Sequence, residues 1–199
     1  MKKFISILIV IYLLFSTCTT NSYAQTSNNW YPISESAVRL IADTINRVLV
    51  ERIYMSENQL EMDIENYLFE QINLSRSVHG KPPLIRNTQI DSVAKNWSQV
   101  QADYEVSTHN TNLGYDLIDA DVYFLGYGEN IGYGIVDDQN NRQKYFDVVS
   151  IIHNGMMAEQ PPYDGHRRTI LGENIDYTHI GIGVEIEGNE FWITTDYVL

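Results

Sequence analysis

One cysteine, Cys18, is the entire thiol content of this 199-residue chain. No intramolecular disulfide can form, so the fold must be held by a packed apolar core, and the length is sufficient for one domain with such a core. The cysteine also lies within an export-like start. Met1-Lys2-Lys3 precedes an apolar run from Phe4 to Phe15, too short to anchor stably across a bilayer. Ser22-Tyr23-Ala24 places small residues at the two positions a signal peptidase reads. The expectation is a signal peptide over residues 1–24, cleaved after Ala24, and a secreted, periplasmic or cell-surface protein. Phe15-Ser16-Thr17-Cys18 is a loose lipoprotein box, with Phe15 and Thr17 departing from the usual pattern, and offers a lipid anchor through Cys18 as the less favoured route. No later apolar run is long enough for a transmembrane helix. An exported chain that keeps no cysteine after a short Lys-Lys leader fits a bacterial source.

Thirteen basic residues stand against 26 acidic ones, a formal charge of −13, and removing Lys2 and Lys3 with the leader takes it to −15. That balance argues against nucleic acid and anionic lipid as non-specific partners.

Residues 25–31 are polar and read as lacking regular structure. From Ser34 to Tyr54 the residues Val38, Ile41, Ile45, Val48, Leu49 and Ile53 recur at helical spacing. Leu60 to Ser77 repeats the pattern with Leu60, Ile64, Tyr67, Leu68 and Ile72, and Gly80-Lys81-Pro82-Pro83 ends it. Thr88 to Tyr104 is the clearest helix, with Ile90, Val93, Ala94, Trp97, Val100 and Tyr104 on one stripe. Residues 106–126 read as loop. Glycines 126, 128, 132 and 134 surround a short strand. Arg142 to Glu159 reads as a helix stopped by Pro161-Pro162, and Asp164 as the cap of a short helix from Gly165 to Leu171 that Gly172 ends. His179–Glu187 and Glu190–Val198 form strands joined through Gly188 and Asn189. The expected class is α+β, helices packed on a small, mostly antiparallel sheet. Residues 1–24 are the leader, 25–58 an extension with an amphipathic helix, and 59–199 the main domain.

The chain carries no His-Glu-x-x-His, no Gly-x-Ser-x-Gly and no phosphate-binding loop. Chemistry concentrates in three places: Ser107-Thr108-His109-Asn110, Gly128-Glu129-Asn130-Ile131, and Asp164-Gly165-His166-Arg167-Arg168-Thr169-Ile170-Leu171. Neutral imidazoles are good zinc ligands, and carboxylates can complete or orient them. Each residue also has a structural reading: His109 bonding a loop, Glu129 pinning turn amides, His166 capping its own helix. His79, His153 and His179 match no motif, and Arg167 and Arg168 read as solvated or ion-paired.

These pieces together resemble the CAP superfamily, also called SCP-like: cysteine-rich secretory proteins, insect antigens and plant pathogenesis-related proteins, with many bacterial members. The resemblance covers about residues 60–199. Asn73-x-x-Arg76, Gly80 and Pro83-Leu84 begin it. The Trp97 helix, His109, Gly-Glu-Asn-Ile at 128–131 and Gly-His-Arg-Arg-Thr-Ile-Leu at 165–171 follow. Ile180-Gly181-Ile182-Gly183-Val184 and the Trp192 strand close it. It implies an α-β-α sandwich with a cleft holding two histidines and two acidic residues. His109, Glu129 and His166 correspond to three of these. Glu159 is nominated as the fourth, although the tryptophan that often precedes it in the family is replaced by Met156-Met157-Ala158. The resulting assignment has His109 and His166 as metal ligands for a weakly bound Zn2+, with Glu129 and Glu159 as catalytic candidates. The dipole of the short helix would favour the neutral, coordinating form of His166. Glu159, near a helix C-terminus, would have its charge disfavoured there. The function expected is a binding module for a small molecule, lipid or peptide, and the alternative is a metal-assisted or acid–base hydrolase acting outside the cytoplasm.

Overall fold

The structure is a computed structural model and describes residues 23–26, 29–32 and 35–199; residues 1–22 of the expected leader, Cys18 among them, lie outside the described residues. The chain divides into two compact units, Met1–Asn58 and Gln59–Leu199. In the first, β1 (Tyr23–Thr26) pairs antiparallel with β2 (Asn29–Pro32), Tyr23 opposite Pro32. This corrects the reading of residues 25–31 as irregular. The two helices expected over 34–54 and 60–77 are one, α1 (Glu35–Val78). The intervening residues contain neither glycine nor proline, so the lapse in apolar spacing does not break the backbone.

The second unit holds β3 (Ile85–Arg86), α2 (Thr88–Tyr104), α3 (Leu113–Asp119), β4 (Tyr127–Ile135), α4 (Arg142–Ala158), α5 (Gly165–Leu171), β5 (His179–Glu187) and β6 (Glu190–Val198). The sheet runs β3-β5-β6-β4, parallel between β3 and β5 and antiparallel elsewhere. β5 and β6 are joined by Gly188, whose φ of 74° suits glycine, and Asn189.

Three layers result, because strand side chains alternate between faces. On one face α2 lies directly against Gly181 and Gly183 of β5, where an added Cβ would meet the helix backbone. Asn87 caps α2, its side chain accepting from the amides of Gln89 (2.8 Å) and Ile90 (3.3 Å). On the other face Ile180, Ile182, Val184, Phe191 and Ile193 bury against Leu60, Ile64, Leu68 and Ile72 of α1, with Val149 of α4 and Ile170 of α5 completing the core. The α+β class and the sandwich implied by the resemblance are what the structure has.

β3 is only two residues long, so β5 would present unpaired backbone groups beyond it. Side chains take them up. The carboxylates of Asp91, Glu65 and Glu61 accept from the amides of Ile182 (2.8 Å), Val184 (3.2 Å) and Ile186 (3.0 Å). Arg86 donates to the carbonyl of Ile182, and Lys95 to that of Val184. Arg86 also pairs with Glu65 and Asp91, and Lys95 with Glu61 and Glu185. An edge that could recruit another strand is thereby closed by charge.

Candidate functional site

The Asn73-x-x-Arg76 signature is an architectural device. The Asn73 side chain clamps residue 84, donating to its carbonyl (3.2 Å) and accepting from its amide (2.8 Å). Arg76, 2% exposed, donates to the carbonyls of Pro82, Ile170 and Tyr177. It therefore ties α1 to the end of α5, the helix that carries His166.

The four nominated residues come together in two pairs at the edge strand β4. His109 Nδ1 lies 2.7 Å from Glu129 Oε1, which also accepts from the Asn110 amide at 2.9 Å. The imidazole is mostly open to solvent, 59% exposed, while Glu129 is 5% exposed. His166 Nδ1 lies 2.5 Å from Glu159 Oε1. Glu159 Oε2 accepts from the amides of His166 (3.0 Å) and Arg167 (3.4 Å). With the carboxylates ionised, each imidazole donates through Nδ1 and keeps Nε2 for another partner. Asn130, the neighbour of Glu129, donates to the carbonyl of His166 (3.1 Å), so successive residues of β4 hold the two pairs. Among the described residues, no three His, Cys, Asp or Glu side chains are grouped to hold one metal ion.

Two local expectations change. Asp164 stands at the N-cap of α5 but its side chain makes no capping bond; Glu159 supplies that bond instead. The chain folds back after α4, so Glu159 leaves the C-terminus of one helix and reaches the amides that begin the next. The remaining histidines are elsewhere. His153 is buried with Nε2 on Ser75 Oγ (2.8 Å), His79 Nδ1 meets the Ser75 carbonyl, and His179 Nδ1 meets Thr178 Oγ1. Arg167 pairs with Glu173 and Arg168 bonds Asn174.

Sequence reasoning missed Asp196. It lies opposite Glu129 across β4 and β6, on the α2 face, fully buried, and neither of its oxygens has a hydrogen-bond partner. Glu129 Oε2 and Gln101 Oε1 are buried without partners on the same side. Burial, then the neighbouring charges of Glu129 and Asp116, push the Asp196 carboxyl well above its ordinary range. Burial also pushes Glu129 up, against the lowering effect of the Asn110 amide and His109. The sign for stability follows. Below the ordinary carboxyl value both folded and unfolded states hold the proton. As pH rises through that value the unfolded chain ionises first, so folding weakens until the native carboxyl ionises too. Asp196→Asn is expected to flatten this decline and raise stability at neutral pH by about 1 kcal/mol or more. Urea midpoints from pH 4 to 8 check it; an unchanged profile would show that Asp196 ionises as freely in the native state as in the unfolded one.

A sequence profile of the cysteine-rich secretory protein family (CAP) matches residues 69–197. An extracellular protein containing an SCP domain from Bacillus anthracis is similar in fold, with a TM-score of 0.55 and 24% identity over 71% of this chain. The aligned part is 42% of that protein, so this chain spans less than half of it. An outer surface protein of Borrelia burgdorferi has a TM-score of 0.54 and 16% identity over 68% of this chain and 92% of that one. A comparison with curated proteins finds no match. With the profile spanning well over half of its length, and the three-layer fold and signature contacts in place, the chain belongs to the CAP family of cysteine-rich secretory proteins.

Proposed function

We propose that this is an exported CAP protein whose β4-edge site binds a small-molecule, lipid or peptide ligand, with His109 and His166 holding a zinc ion weakly. The observation that carries the reading is the duplicated pairing: two histidines, each with Nδ1 on its own carboxylate, which leaves Nε2 as the nitrogen available to a metal. A metal-binding histidine is commonly oriented in this way, the carboxylate fixing the ring and raising its basicity. Glu129 and Glu159 are then orienting groups. Two imidazoles leave most of the zinc coordination to water or ligand, which fits an exchangeable site and not a closed structural one. When bound, zinc would supply Lewis acidity to a ligand oxygen. Export rests on the Lys-Lys leader with its apolar run. The extracellular and outer-surface descriptions of the Bacillus and Borrelia proteins agree with it.

Titration calorimetry tests the metal. The wild type is expected to bind zinc, His109→Ala with His166→Ala to lose it, and Glu129→Gln to weaken it about 10–100-fold. Zinc affinity that survives the double substitution would sink the assignment. One observation favours the hydrolase reading: Glu129 keeps Oε2 without a partner, and burial raises its proton affinity toward that of a general base. Turnover of a peptide or cell-wall substrate, lost in Glu129→Gln while zinc is retained, would establish that reading instead.

A further inference from the structure

A second concave site lies on the outer side of α2, beside the His109–Glu129 pair, whose carboxylate accepts from the backbone amide of Asn110 in its wall. A cleft of about 430 Å3 runs between α2 and α3. It is lined by Trp97 and Asn96 of α2, by Asn110 and Asn112 of the preceding loop, and by Asp116 and Asp119 of α3. Its size falls within the range of small-ligand sites. We propose that this cleft recognises a carbohydrate, an uncharged or amine-bearing pyranoside.

The walls are fixed before anything binds. At one end the Gln89 side chain donates to the Ala120 carbonyl (3.0 Å); at the other the Trp97 indole N–H donates to the Thr108 carbonyl (2.9 Å). Beneath, Ile90 and Val93 of α2 bury against Leu113 and Leu117 of α3. A site held this way loses little freedom on binding, so a ligand offering many modest hydrogen bonds can be held there.

The lining chemistry sets the class. Three amides supply donors and acceptors together, two carboxylates accept from hydroxyls or an ammonium, and the indole with Val93, Val100 and Ala120 offers an apolar surface. Among the described residues lining the cleft none is basic, so phosphate, sulfate and carboxylate groups are disfavoured, as the net charge of −13 also dictates. Asn112 shows the arrangement most directly. It occupies the N-cap of α3, where asparagine normally bonds the helix amides, yet its side chain makes no capping bond and lines the cleft. Asp116 is already oriented, accepting from Asn110 Nδ2 (2.8 Å), and Asn110 Oδ1 in turn accepts from the Asn112 amide (2.8 Å). Asp119 is exposed at the end of α3. A pyranose matches this set, with hydroxyls at its edge for the amides and carboxylates and a C–H face for the indole. A purely apolar ligand would leave the polar lining unpaired.

The test is calorimetry and chemical-shift mapping of the purified protein with cellopentaose, chitopentaose and the pentamer of glucosamine, and with pentalysine as the cationic comparison. At least one sugar is expected to bind and to shift resonances of residues 96, 97, 112 and 119. Asp119→Asn and Asn112→Ala sit at exposed positions and should fold normally, each weakening that sugar about tenfold. Trp97→Phe, which keeps a ring but loses the Thr108 bond, should weaken it by a smaller factor. Failure of all three sugars to bind at about 10 mM, sugar binding indifferent to Asp119→Asn and Asn112→Ala, or pentalysine binding more tightly at the same residues would each overturn the proposal.

Discussion

Arg76→Met is expected to cost the domain about 3–5 kcal/mol, because it strands three buried carbonyls at once. The guanidinium is 2% exposed and donates through Nε to Pro82 (2.8 Å), through Nη1 to Ile170 (2.7 Å) and through Nη2 to Tyr177 (3.4 Å). Methionine fills similar volume and offers no donor, so the packing change is small and the loss is polar. Burial alone would lower the guanidinium's hold on its proton, while Tyr197 and Asp176 act in the opposite sense. Three charge-assisted bonds make its retention worthwhile. Lysine cannot reproduce the fork, so Arg76→Lys should recover less than half of the loss. Urea unfolding at a fixed slope measures both. A second readout is specific to the site: Ile170 belongs to α5, so loosening its carbonyl should disorder the His166–Glu159 pair before the domain unfolds, and with it the zinc binding proposed above. A loss below about 1 kcal/mol would mean that water can satisfy the three carbonyls in place of arginine.

Arg76 also shows what kind of information a sequence carries. Its place in a family signature is visible as letters, but nothing in the letters says that it donates to carbonyls 6, 94 and 101 residues away. The elements that could be read were those with physical punctuation. Thr88–Tyr104 is legible from its apolar stripe, and Gly165–Leu171 and the two closing strands from Gly172 and Gly188, which mark where the backbone must change direction. α3 escaped because its seven residues bury only Leu113 and Leu117, too few to set a period. The motifs single out His109, Glu129, Glu159 and His166, and the structure places them in two His–Glu pairs. The role of Glu159 was not legible, since it depends on the chain doubling back to bring a carboxylate from the end of α4 to the first amides of α5. Asp196 was hidden for a different reason. It occupies the α2-facing register of β6 with Trp192 and Thr194, and no pattern rule expects a buried carboxyl there. A carboxyl kept in such a place breaks the local rule of polar satisfaction, as does its cross-strand neighbour Glu129 with its buried, unpartnered Oε2.

Gly183→Ala should be comparably damaging, by about 3 kcal/mol or more, and for a purely geometric reason. The new Cβ would overlap the Lys95 amide nitrogen and the Ala94 carbonyl carbon. These are backbone atoms of α2, so no side chain can rotate away and the whole helix must lift. Lifting it lengthens the Ser98 hydroxyl bond to the Gly183 carbonyl (2.9 Å) and the Asp91 bond to the Ile182 amide (2.8 Å), and it strains Lys95 against the Val184 carbonyl. Gly181 is under the same constraint from Ile90 and Asp91. Gly155 is the control. It lies inside α4 with nothing within 4 Å of an added Cβ, so Gly155→Ala should stabilise by about 0.5–1 kcal/mol through helix propensity and a less flexible unfolded chain. The contrast between two glycine-to-alanine changes of opposite sign separates packing from propensity. It also reaches the buried carboxyl. α2 shields Asp196 from solvent, so a raised helix admits water to it, and the fall of stability with pH assigned to Asp196 should be shallower in Gly183→Ala than in the wild type. A Gly183→Ala protein of near wild-type stability, with the pH profile intact, would show that α2 does not rest on β5 as closely as its backbone contacts imply.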